Sequence, residues 1–247
     1  MNPPQFRIKP FGPNAVLLEW PPRLELEILF DILGFADFLR QGHLEEPEWE
    51  FVPIYNSLTL ISRGNPIDFA KLEPALKAWY ESYPGPGSVQ TQDWELPVCY
   101  DPEFGLDLEQ AAQTLNMDAE TLIRKHGEPT YRVFGIGFLP GFLYLGGVPE
   151  ELRLPRLASP RPRVPEGSVG LADRQTGIYP QESPGGWNIL GKCPLPLFDP
   201  KREPPSFIGL GDSIRFRAVS RAEFDLHQIE AEVGVYDYKK KYGNAAR

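Results

Sequence analysis

The residues with the most chemical potential are crowded between Gly135 and Gly191. Phe138-Leu139-Pro140-Gly141-Phe142 sets a Pro-Gly turn between aromatic rings, where a glycine at positive φ lets another group approach the backbone closely. Five arginines follow, Arg153, Arg156, Arg161, Arg163 and Arg174, on loops stiffened by prolines at 155, 160, 162 and 165. A planar guanidinium matches carboxylate and phosphate geometry, so this cluster on an acidic chain predicts an anion site. The bland alternative for each arginine is a surface pairing with an acid such as Glu150, Glu151 or Glu166. Gln175-Thr176-Gly177-Ile178-Tyr179 and Ser183-Pro184-Gly185-Gly186-Trp187 add amide, hydroxyl, phenol and indole groups on turns, the materials of a small-molecule pocket. Backbone N–H groups at Gly185-Gly186 could also face an oxyanion.

Other chemistries are excluded or unsupported. Gly186 to Lys192 matches the Gly-x4-Gly-Lys part of a phosphate-binding loop, but Cys193 stands where Ser or Thr should hold Mg²⁺. Pro194 and Pro196 forbid the helix that must follow, so this reading is rejected. Cys99, Cys193, His43, His126 and His227 are scattered, which predicts neither a disulfide framework nor a zinc site. His126 reads as a helix C-terminal residue favoured as imidazolium, His43 and His227 as surface residues, and Asp212 as a turn former. No nucleophile–base pair emerges from spacing, and the catalytic residues stay unassigned.

The elements that must position these groups fall in two parts. Phe6–Ile8 and Ala15–Trp20 read as strands around a Gly12-Pro13-Asn14 turn, and Leu24–Leu39 places Leu26, Leu29, Phe30, Leu33 and Phe38 on one helical stripe. Trp49–Val52 and Ser57–Ile61 read as strands, and Pro66–Tyr83 as a helix opened by proline. Pro84-Gly85-Pro86-Gly87 is the best linker candidate. Beyond it come a strand at Leu96–Tyr100, a helix at Leu108–Leu115 with Asp107 and Gln110 as a capping box, a helix at Ala119–His126 capped by Asp118, and a strand at Tyr131–Phe138. From Pro140 to Pro200 the density of Gly and Pro rules out long helices, leaving short strands in a barrel. The expected organisation is 1–88 as a small α/β domain, 89–222 as a β-barrel domain and 223–247 as a tail bearing Lys239-Lys240-Lys241, an α+β chain overall.

Composition sets the outer limits. The formal net charge of −9 over 247 residues argues against a nucleic-acid binder. No apolar run approaches a membrane span and the N-terminus lacks a signal-peptide core, so the expected location is cytoplasmic, away from membranes.

The run GFLPGFLYLGGVPEEL…PRPRVPEGSVGLADRQTGIYPQESPGGWNILGKCPLPLFD…GLGDSIRF closely resembles the KipI / allophanate-hydrolase-subunit-1 family. FGPNAVLLEW, EFVPIYNSLTLI and YDPEFGLDLEQAA…MDAETLIRKH extend the likeness upstream to about nine-tenths of the chain. The resemblance implies an N-terminal α/β domain and a cyclophilin-like C-terminal barrel. Because the family includes a component of 5-oxoprolinase, it also implies ATP-dependent opening of 5-oxo-L-proline to L-glutamate. ATP would be a co-substrate of a complex with a companion of the allophanate-hydrolase-subunit-2 (PxpC) type and a LamB/YcsF-type (PxpA) protein, the chain being inactive alone.

On that reading Phe138, Pro140, Gly141 and Phe142 shape the pocket. Arg156, Arg161 and Gln175 hold carboxylate or phosphate, and Tyr179, Ser183, Gly186 and Trp187 line the opposite wall. The alternatives within the resemblance are a KipI-like inhibitor of a histidine kinase and a carboxyltransferase-type subunit; prolyl isomerisation rests on fold analogy alone. The chain departs from the family at Asp173, where a Gly is usual, at Tyr55-Asn56-Ser57 and at Tyr100-Asp101-Pro102.

Overall fold

The computed structural model describes residues 6–236, and its backbone divides into two compact units, Met1–Gln90 and Thr91–Arg247. In the first unit, β1 (Arg7–Pro10), β2 (Ala15–Glu19), β3 (Trp49–Ile54) and β4 (Ser57–Ser62) form an antiparallel sheet in the order β1-β2-β4-β3. Val16 faces Leu60 and Leu18 faces Leu58, so period-2 alternation puts all four on the buried side. Helix α1 (Leu26–Gly42) covers them with Ile28, Leu29, Ile32, Phe35, Ala36 and Leu39. Of the expected stripe only Leu29 belongs to this buried face; Leu26, Phe30, Leu33 and Phe38 are half-buried, because the helical period that meets the sheet runs through 28, 32, 35 and 39. Helix α2 (Phe69–Ser82) begins after Pro66 rather than on it, and Pro74 lies inside it, a position the sequence reading did not foresee.

The second unit carries the constellation of interest. Its elements are β5 (Asp93–Val98), α3 (Leu108–Thr114), α4 (Ala119–Gly127), β6 (Tyr131–Ile136), β7 (Leu143–Gly146), β8 (Arg161–Val164), β9 (Ser168–Ala172), β10 (Gln175–Ile178), β11 (Ser183–Gly185), β12 (Asn188–Lys192), β13 (Ser213–Ala218) and α5 (Arg221–Glu232). Seven strands form one sheet in the order β12-β9-β10-β7-β6-β13-β5. Just past the end of β5, Cys99 exchanges two 2.9 Å backbone hydrogen bonds with Lys192 of β12, so the first and last strands meet and the sheet is a nearly closed barrel. This is the short-stranded β architecture that the Gly/Pro density implies. One pairing is parallel, β5 with β13, and the two remaining strands, β8 and β11, form a separate ribbon.

Two local expectations are corrected. His227 lies in α5, which Ser220 and Glu223 start with a reciprocal capping box and whose Phe224, His227 and Ala231 are buried. His227 is therefore not a surface residue. Lys239-Lys240-Lys241 lie outside the described residues. Asp118 caps α4 as expected, accepting from Thr121 N–H at 2.6 Å, but Asp107 gives its helix no side-chain cap. Among the described residues no helix is long and apolar enough to cross a membrane.

Candidate functional site

At one part of the barrel wall, Phe142, Tyr179, Trp187, Val164, Ala172 and Ile189 form a buried cluster of their own, with Leu139 and Tyr144 packed on it. Phe142 sits edge-on to Tyr179 at 5.2 Å and to Trp187 at 5.5 Å, the arrangement favoured by ring quadrupoles. The close packing needs glycine. A Cβ on Gly177 would lie 2.4 Å from the Leu143 carbonyl oxygen, and one on Gly185 would lie 2.4 Å from the Tyr179 phenol oxygen. Tyr179, Trp187 and Phe142 are thus wall rather than lining, each under 5% exposed.

The Pro-Gly turn sits on this wall. It joins β6 to β7, closed by hydrogen bonds from Gly137 N–H to the Phe142 carbonyl and from Phe142 N–H to the Leu139 carbonyl, both 3.0 Å. Gly141 holds φ +82°, and Phe138, itself at φ 65°, leaves its ring 64% exposed against the edge of Phe142. Pro140 is exposed beside it. In the β8–β11 ribbon Ser183 is buried and Gly185 lies opposite Arg161, and the Leu157 N–H donates to the Gly186 carbonyl at 2.8 Å, tying the loop before β8 to the loop after β11. Gln175 opens β10, half-buried.

The arginines are where the sequence reading needs correcting. Arg153 pairs with Asp173 and Glu150, Arg163 with Glu182, and Arg174 with Glu150, all exposed surface pairs. Arg161 is held by Asp107 through two hydrogen bonds of 2.8 and 2.5 Å. Four of the five guanidiniums are therefore already matched to carboxylates, because acids distant in sequence return to them in the fold. Asp173, the departure from the family pattern, pairs with Arg153. Among the described residues Arg156 alone of the five has no ion pair.

Burial raises the pKa of Tyr144 and of Tyr179, and in both the positive charge of Arg156 opposes the rise, joined at Tyr179 by that of Arg161, so the field of Arg156 reaches both phenols. The backbone N–H of Trp187 also favours the charged form of Tyr179. An exposed guanidinium without an ion pair can hold a small carboxylate or phosphoryl group by charge-assisted hydrogen bonds. Sequence reasoning treated Tyr144 only as an apolar strand residue; its alternation with buried Leu143 and Leu145 on β7 was the signal that it faces outward.

His126 and Lys192 are removed from the list of chemical candidates. His126 is wholly buried, and desolvation pushes its pKa down to about 3, so it is neutral rather than the imidazolium expected at a helix end. Lys192, the lysine of the rejected phosphate-loop match, lies in strand β12 with its ammonium over the rings of Phe104 and Phe224.

Comparison with known proteins adds three findings. The family model "Carboxyltransferase domain, subdomain C and D" matches residues 6–208. Two proteins named as the B subunit of 5-oxoprolinase are similar along nearly their whole length. The one from Bacillus subtilis is 44% identical over 242 residues, covering 92% of this chain and 98% of that one. The one from Haemophilus influenzae is 39% identical over 210 residues, covering 85% and 96%. The fold is also that of a stretch of the Kluyveromyces lactis urea carboxylase, with a TM-score of 0.76 at 16% identity, over 94% of this chain and 23% of that longer one.

Proposed function

We propose a function from the premise that this chain belongs to the carboxyltransferase family, subdomains C and D, and groups there with the 5-oxoprolinase B subunits: it is a subunit of a 5-oxoprolinase. The finer reading is that the complex opens 5-oxo-L-proline to L-glutamate at the expense of ATP, that the barrel is of the cyclophilin-like type, and that the chain works only with companion subunits. Those companions would be of the PxpC and PxpA types, in the cytoplasm.

One observation carries the reading to a site. Arg156 is the single guanidinium of its cluster left without a carboxylate, and its charge acts on the phenols of Tyr144 and Tyr179. 5-Oxoproline offers such a site its own carboxylate, and the flat lactam suits the rings of Phe138 and the wall behind it. Gln175 adds an amide at the start of β10, and Ser183 and Gly186 bound the opposite side. Arg161 supports this arrangement through Asp107 and is not itself the anion receptor. The Gly186–Lys192 segment runs into strand β12 (Asn188–Lys192) and not into the helix a phosphate cradle needs, so the reading gives phosphate chemistry to a companion chain.

The purified chain, mixed with its companion proteins, 5-oxoproline and ATP, should release glutamate, and should release none when any one component is omitted. Absence of glutamate in the complete mixture overturns the reading. Within the active mixture, Arg156→Ala should raise KM for 5-oxoproline by about tenfold or more, the loss of one charge-assisted contact of roughly 1.5–3 kcal/mol. Arg163→Ala, which removes only an exposed pair with Glu182, should change KM less than about twofold.

A further inference from the structure

Asp107 breaks a local rule. An aspartate immediately before a helix ordinarily accepts a hydrogen bond from the first-turn N–H groups, yet this carboxylate makes no such bond to α3. It is 8% exposed and spends its oxygens elsewhere: Oδ1 accepts from Arg161 Nη2 at 2.5 Å, and Oδ2 accepts from Arg161 Nη1 at 2.8 Å and from the Ile189 N–H at 2.7 Å. The Asp107 N–H in turn donates to the Ile189 carbonyl at 2.9 Å. The carboxylate is thereby welded to β12 at the very place where the β9–β12 register shifts.

Its partner belongs to a different piece of the fold. Arg161 is the first residue of β8 and lies opposite Gly185 in the two-stranded ribbon. An isolated two-stranded ribbon is only weakly stable in water and needs packing against something else. The ribbon's other charged pair, Arg163 with Glu182, is solvent-exposed and joins only the ribbon to its own return. The pair with Asp107 reaches the barrel body across 54 residues of sequence and is bidentate, which fixes orientation as well as distance. Ion pairs taken out of water contribute little net stability, so a pair that displaces a helix cap points to placement as its benefit.

We propose that Asp107 is a positioning residue: by gripping Arg161 it fixes the β8–β11 ribbon and, together with the hydrogen bonds from Asn188 to the Pro155 carbonyl and from the Leu157 N–H to the Gly186 carbonyl, the 153–160 loop that feeds it, and so helps to set where Arg156 stands. This rests on the reading of Arg156 as the receptor for the substrate's carboxylate. The pair also keeps the Arg161 charge from competing with Arg156 for the same anion.

Asp107→Asn retains the volume and an acceptor for the Ile189 N–H while releasing Arg161. In the full-length chain, deuterium exchange of the 153–165 peptides should accelerate several-fold in this variant, with β6, β9 and β13 unchanged. In the assembled enzyme, KM for 5-oxoproline should rise about tenfold with kcat within twofold, and Asp107→Glu should recover part of the loss. The decisive arm is the double variant: in an Arg156→Ala background, Asp107→Asn should add no further increase in KM, because both act through one contact. An equal KM penalty in both backgrounds, a fall in kcat alone, or unchanged exchange at 153–165 each overturns the proposal. If the complete wild-type mixture makes no glutamate, the 5-oxoprolinase reading fails, and the exchange measurement still decides whether Asp107 anchors the loop.

Discussion

Asp212→Ala should cost the protein about 4 kcal/mol of stability, the largest single loss expected outside the apolar core, while Asp93→Ala should change it by less than about 0.5 kcal/mol. The two aspartates lie at neighbouring strand starts, since Asp93 opens β5 and Asp212 immediately precedes β13, and they differ in what they hold. Asp212 is 4% exposed, and its carboxylate accepts three hydrogen bonds of 2.8 Å, from the N–H groups of Gln92 and Gly209 and from the indole of Trp94. Its own carbonyl accepts from Val133 of β6 at 3.0 Å. One carboxylate thus ties the start of β5 and the turn into β13, and its backbone adds β6. Truncation leaves three donors without an acceptor, at roughly 1–3 kcal/mol each before any relaxation. Urea unfolding of both variants at pH 7 measures the difference. Asp212→Asn should fall between the two, because one amide oxygen replaces two carboxylate oxygens. A loss under about 1 kcal/mol for Asp212→Ala would show that water serves these donors equally well.

The same residue illustrates how far the sequence could be read. Gly209-Leu210-Gly211-Asp212 marks a turn by composition alone, and a turn is what it makes, but nothing local reveals that Trp94, 118 residues away, donates to it. Elements with a period of their own were legible: the existence of α1, though not its buried face, the alternation in β2 and β4, the cap at Asp118. So was the barrel, because prolines and glycines at that density leave only short strands. The parallel β5–β13 pairing and the closure at Cys99 and Lys192 are matters of topology, set by contacts between segments that share no local signal.

Candidate site residues divide along the same line. The Phe142, Tyr179 and Trp187 rings do converge, since each lies immediately beside a strand of one sheet (β7, β10 and β12), and Phe138 rests on Phe142. The arginines did not keep the freedom their spacing suggested. Proximity in sequence put five cations together, and long-range folding brought Asp107, Asp173 and Glu182 to meet three of them. Spacing reports which groups are near one another along the chain; it does not report which are already satisfied. Asp107 was read as a helix cap for that reason, its real partner being 54 residues further on.

Acid should expose the cost of burying His126. The ring is wholly enclosed and stacked on Phe216 at 4.8 Å, and its hydrogen bonds define a single tautomer. Thr176 Oγ1 donates its proton to the Gly170 carbonyl at 2.9 Å, so the 3.0 Å contact between Thr176 Oγ1 and Nε2 requires Nε2–H as donor. Nδ1 is then the acceptor for the Tyr100 hydroxyl at 2.8 Å. A second ring proton would confront that hydroxyl, and desolvation accordingly pushes the imidazole pKa from its ordinary 6.5 down to about 3. Below pH 6.5 the unfolded chain takes up a proton that the folded one refuses, so this site's share of stability is intact above that pH and erodes as pH falls toward 3. At pH 5 the loss is about 2 kcal/mol, being 1.36 kcal/mol for each unit below 6.5. His126→Gln keeps a donor and an acceptor but cannot titrate. It should be less stable than the wild type at pH 7.5, through imperfect packing, yet lose about 2 kcal/mol less than the wild type between pH 7.5 and pH 5. Urea midpoints at the two pH values provide the comparison, with carboxylate effects common to both proteins cancelling. Parallel losses in the two would mean that the ring takes a proton in the folded state and that the Tyr100–His126–Thr176 chain is not closed as described.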